Sequence, residues 1–194
     1  MSAYTEAGEQ HVGAQEDVVV IDPEIEALIP SLKPDEQSKL RESIKTEGCR
    51  DPLVVWKGRN ILLDGHNRYA ICQDLGIQFK IAELDFPDKD HAMLWILRNQ
   101  LGRRNLSDFQ FKLLVGQEYE LEKKLTPNPH GTNQHSEAVR GQSDLQPKKK
   151  TAEKIAEEHG ISEKTVKRSA DLYRCHQAVK EVVPEVAQKQ EVRE

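Results

Sequence analysis

Residues 126–147 constrain this chain more than any other stretch, because TPNPHGTNQHSEAVRGQSDLQP cannot join a packed core. Pro, Asn, Gly, Gln, His and Ser dominate it. It offers too little apolar surface to offset the entropy of ordering it. A flexible linker is expected there, with His130 and His135 solvated rather than bound to a metal. The chain is thereby divided into a long front segment, 18–125, and a short back segment, 148–183. Polar tails are expected at 1–17 and 184–194.

The two segments differ in charge. The chain of 194 residues carries a net −5. Residues 1–125 hold 16 Lys/Arg against 22 Asp/Glu, whereas residues 145–180 hold 9 against 5. Only the back therefore looks like a nucleic-acid surface. No apolar run approaches the ~20 residues that span a bilayer. The first residues lack a hydrophobic signal region, so a cytoplasmic protein is expected. Cys49, Cys72 and Cys175 are far apart and odd in number. They match neither a zinc spacing nor a disulfide framework, and each reads as a small buried or half-buried residue in a reducing compartment.

Within the front segment, the β-branched run Val18–Ile21 reads as a strand stopped at Asp22-Pro23. Pro34-Asp35-Glu36 opens a helix carrying Leu40 and Ile44 and ending at Gly48. Leu53–Trp56 and Ile61–Leu63, joined by Lys57-Gly58-Arg59-Asn60, form a hairpin. A helix over 67–75 closes at Gly76, and a strand follows at Phe79–Leu84. A helix from Lys89 through Leu97 is expected next, then an arginine-rich loop from Arg98 to Ser107. Ser107 or Asp108 caps a long helix to about Leu125.

The stretch Leu63-Asp64-Gly65-His66-Asn67-Arg68 joins a strand to a helix start through a glycine turn. Backbone N–H groups and the positive end of the helix dipole attract anions there. Arg68 adds a fork suited to two phosphate oxygens. A nucleotide phosphate turn is the chemical reading, and a plain surface turn with a solvated arginine is the alternative.

In the back segment, Ile155 and Ala156 mark the buried side of one helix, Gly160 a tight turn and Ile161 its anchor. Ser162 then caps a second helix bearing Val166, Ala170 and Tyr173. This is the pattern of a helix-turn-helix whose second helix enters the major groove. Its exposed side offers Ser162, Lys164, Thr165, Lys167 and Arg168, preceded by Lys148, Lys149 and Lys150. These residues could meet phosphates or base edges of duplex DNA. An ordinary αα-hairpin with a charged face is the alternative. One such module reads one half-site, so a homodimer is expected.

Three motifs resemble those of ParB-like proteins, in order. They are the helix–turn–strand opening from Leu40 to Val55, the box Asp64-Gly-His-Asn-Arg-Tyr-Ala, and Asn99 with Arg103-Arg104-Asn105-Leu106. The resemblance implies an α+β class: a ParB/sulfiredoxin-like small mixed sheet with helices over 18–125, followed by an all-α helix-turn-helix domain. It assigns nucleotide contacts to Gly65, His66, Asn67, Arg68, Asn99, Arg103 and Arg104, with CTP or ATP as the nucleotide. It implies a role in plasmid or mobile-element partition, replication or transcriptional control.

The sequence also departs from that family. Asn67 stands where the box has a first arginine, and Arg98 stands where the later motif has a glutamate that helps to hold Mg²⁺. A guanidinium cannot coordinate a cation, so Mg²⁺-dependent hydrolysis is in doubt. The turn also resembles Asp-Gly-His-His-Arg of free serine kinases, which share the fold. In a kinase reading, Asp64 or Glu47 would act as base, with His66 and Arg68 on the phosphate. A nuclease reading would group Asp64, His66 and Glu47 around a metal, although two-metal sites want more carboxylates.

Overall fold

The computed structural model describes residues 11–12, 19–103, 106–126 and 150–182. Most of both tails, the segment expected to be a linker, and Arg104, Lys148 and Lys149 lie outside the described residues. The class is mixed α+β, in two compact units that divide between Ile96 and Leu97. That division falls inside one helix, Lys89–Leu101.

In the first unit, β2 (Leu53–Trp56) and β3 (Ile61–Asp64) form the expected hairpin. β4 (Lys80–Leu84) lies parallel to β2 on its other side, and the two-residue β1 (His11–Val12) pairs with β4, giving the order β1-β4-β2-β3. A parallel neighbour needs a crossover, and α3 (His66–Leu75) supplies it between β3 and β4. Gly58 and Asn60, both at positive φ, close the hairpin turn. Leu53, Val55, Leu62 and Ile81 form the sheet's core. Ile44 of α2 (Pro34–Glu47) meets Ile71 and Cys72 of α3 in a second cluster.

Two expectations for this unit change. The described residues of the run expected as a strand, Val19–Ile21, do not form a strand of the sheet. Val20 makes one isolated parallel bridge to Ile61, and Val20 and Ile21 stay exposed. The Asp22 carboxylate accepts from the Glu24 and Ile25 amides and starts α1 (Pro23–Glu26), which turns the chain away from the sheet edge. The helix expected to end at Leu97 is α4 (Lys89–Leu101), so the arginine-rich loop begins several residues later than Arg98.

The second unit contains α5 (Asp108–Leu125), α6 (Thr151–His159) and α7 (Glu163–Val182). Ser107 caps α5 in a capping box with Gln110, as expected. The α5 and α7 backbones approach closely at Gly116. A Cβ there would lie 2.1 Å from the Ser169 carbonyl oxygen and 2.9 Å from Tyr173 Cβ. Only a glycine permits that approach.

Candidate phosphate turn and candidate nucleic-acid face

The hairpin strand β3 delivers Asp64 to the end of the sheet, and Gly65 adopts φ 98°, ψ 20° to swing the chain into α3. Glycine is required there twice over. The conformation is left-handed, and a Cβ would lie 2.6 Å from Leu53 Cδ2 and 3.0 Å from the Arg68 Nη2. No side chain caps this helix start.

Arg68 lies over the glycine. Its Nη2 donates to the Asp64 carboxylate at 3.1 Å and to the Pro52 carbonyl at 3.1 Å. One arm of the fork is therefore fixed by the protein, which orients the guanidinium before any ligand arrives. Its Nε is buried without a hydrogen-bond partner, and so are both ring nitrogens of His66. Burial pushes the His66 pKa down, against the opposing charges of Glu26 and Asp64. Three buried polar nitrogens thus lack hydrogen-bond partners at one uncapped helix start. Native proteins rarely leave such groups unsatisfied, and an anion at the turn would accept from the Arg68 Nε–H and from an imidazole N–H.

The other expected site residues are distributed more widely. Asn67 is half-buried beside His66. Glu47, proposed as a base, is exposed at the end of α2, where its carboxylate pairs with Arg50 at 2.7 Å. Asn99 and Arg103 are exposed residues of the second unit. Arg98, the residue in the glutamate position, turns to α5. Its Nε donates to the buried Glu118 carboxylate at 2.9 Å, and its Nη2 donates to Glu122. His159 at the end of α6 reaches the other Glu118 oxygen at 2.7 Å, and Lys154 reaches Glu122 at 2.8 Å. Sequence reading missed this network, although Glu118, Glu122, Lys154 and His159 are all charged or titratable residues falling on helices.

On the basic segment, Gly160 ends α6 at φ 65°, and the Ile161 amide donates to the Ala156 carbonyl at 2.9 Å. The buried side chains are Ala152, Ile155, Ala156, Val166 and Ala170. Lys150, Ser162, Lys164, Lys167 and Arg168 are exposed, and Thr165 is half-buried. The Ser162 hydroxyl accepts from the Thr165 amide at 3.1 Å and bonds the Thr165 hydroxyl at 2.9 Å. Both hydroxyls therefore serve the start of α7, where Lys164, Lys167 and Arg168 are the exposed cations of the first two turns, with Lys167 3.7 Å from the Glu163 carboxylate.

No protein-family model and no curated protein matches the chain. Solved structures do. The C222₁ form of a pNOB8-like ParB N-domain superposes with a TM-score of 0.55 at 24% identity, over 64% of this chain and 49% of that one. A second pNOB8-like ParB N-domain structure gives 0.52 at 26% identity, over 64% and 47%. This chain thus matches about half the length of each.

Proposed function

We propose that this ParB-like chain binds the phosphates of a nucleoside triphosphate at the Gly65–Arg68 turn and duplex DNA through the first turns of α7. The observation that supports the phosphate reading is the trio of buried, unsatisfied nitrogens of His66 and Arg68 at an uncapped helix start. The α6–α7 pair is read as a helix-turn-helix because of its glycine turn, apolar anchors and outward cations, and the likeness to ParB N-domains supports a role in partition, replication or transcriptional control. CTP and ATP are the nucleotides to test.

Arg98 is cationic and committed to Glu118 and Glu122, so it offers a divalent ion nothing. The kinase and nuclease readings gain no support. Asp64 is held by Arg68 and Glu47 by Arg50, so neither carboxylate is poised as a base.

Titration of the full chain with CTP, ATP and GTP, with and without duplex DNA, tests this function. Arg68→Ala should lower nucleotide affinity at least tenfold, since one charge-assisted phosphate contact is worth about 1.5–3 kcal/mol. It should also lower stability, because Asp64 and the Pro52 carbonyl lose a donor. A folded variant with unchanged nucleotide affinity would remove Arg68 from the site.

A further inference from the structure

Cys49 and Cys72 are 23 positions apart in sequence but pack together in the cluster between α2 and α3. Cys49 lies half-buried in the loop that follows Gly48, and Cys72 is buried on α3. Cys49 packs against the cluster that holds Cys72, close enough for it to raise the Cys72 thiol's pKa. Cys49 Sγ also donates to the Asp51 carbonyl at 3.4 Å. One residue later in the same loop, the Pro52 carbonyl accepts from Arg68. Loop 48–52 is thus joined to α3 at two points a helical turn apart, a thiol pair and an arginine.

We infer that Cys49 and Cys72 form a reversible thiol–disulfide site, closed by a low-molecular-weight disulfide, that staples loop 48–52 onto α3. Cys49, the more accessible thiol, attacks the oxidant's disulfide as thiolate. A mixed disulfide forms, and the first small thiol leaves with the proton. Cys72 then attacks the Cys49 sulfur and expels the second small thiol, which takes the remaining proton. Two protein thiols are oxidised and one disulfide is reduced to two thiols. Burial, reinforced by neighbouring Cys49 and opposed by Arg68, pushes the Cys72 thiol up to about 12. The second step is therefore slower than the first, and a mixed disulfide on Cys49 precedes closure. This inference stands apart from the nucleotide reading, because the bond forms or fails to form whether or not phosphate binds.

The test treats the full chain with oxidised glutathione and follows intact mass, peptides from a non-reducing digest, and Tm. A transient glutathione adduct at Cys49 should give way to a species two hydrogens lighter than the reduced protein, with Cys49 linked to Cys72. Its Tm should rise by roughly 5 °C, as for other loop-closing disulfides, and dithiothreitol should reverse the rise. Cys175→Ser should behave in the same way, and Cys49→Ser should show no rise. A glutathione adduct that persists at equilibrium with Cys72 still free overturns the inference. So does a Cys175-linked dimer as the sole product, or a linked species that melts below the reduced protein. Because thiol mapping on the unmutated chain decides the matter, a Cys72 variant that failed to fold would not obscure it.

Discussion

His66 would couple the proposed anion site to pH. Its imidazole is buried without a hydrogen-bond partner, and burial pushes its pKa below the ordinary histidine value. The unfolded chain takes up a proton near that value while the folded one resists, so His66 lowers stability as pH falls through the ordinary histidine range. A bound phosphate reverses the preference, since it favours imidazolium. Nucleotide affinity should therefore rise as pH falls from 8 to 6, and His66→Gln should flatten the dependence. Calorimetry at three pH values checks this, and an unchanged slope in the variant would detach His66 from the ligand. Arg68 differs in kind. Its guanidinium is held by Asp64 and the Pro52 carbonyl, so the site is organised in advance and less ordering remains to be done on binding.

At the scale of elements, the second unit depends on one close crossing and one buried ion network. Gly116→Ala places a methyl 2.1 Å from the Ser169 carbonyl oxygen and must drive α5 and α7 apart. Chemical denaturation should show a loss of about 1–3 kcal/mol, the range for overpacking. The Glu118 carboxylate is fully buried. Burial opposes its charge, but hydrogen bonds from His159 and Arg98 outweigh that and hold its pKa below the ordinary 4.5. A group lowered in the fold stabilises above its unfolded pKa, and that stability is lost as pH falls through the folded one. The second unit should therefore weaken below about pH 4.5. Glu118→Gln should cost roughly 3 kcal/mol at neutral pH, because it breaks a buried pair. It should also remove part of the acid sensitivity, as urea titrations at pH 7 and pH 4 would show.

For the whole molecule, charge is divided between an acidic front and a basic back, and duplex affinity should follow that division. Each phosphate-neutralising side chain steepens the dependence of affinity on salt by about 0.9 in log–log slope. Reversing Lys167 and Arg168 to glutamate should weaken DNA binding and flatten that slope by nearly two, leaving nucleotide affinity unchanged. Filter binding or anisotropy at several salt concentrations measures both. A double variant that binds as well as the parent at every concentration would dismiss α7 as the DNA-reading helix. A concentration-dependent second binding step in the parent would mark two copies on a two-part site.

Local chemistry made much of this protein legible in its sequence. Glycines at 48, 65, 76 and 160, Ser107 and the proline at 34 punctuate the helices because backbone conformation and capping depend on nearest neighbours. The hairpin and the glycine turn at Gly65 follow from the same short-range rules. Contacts between residues distant in sequence decided the rest. Arg98 read as a loop charge, yet Glu118 and Glu122, 20 and 24 residues on, pair with it in a helix that runs to Leu101. Val20 had the propensity of a strand and makes one bridge, because the Asp22 cap turns the chain away. Cys49 and Cys72 matched no cysteine spacing, since spacing records separation along the chain and says nothing of the packing of α2 on α3 that makes them neighbours.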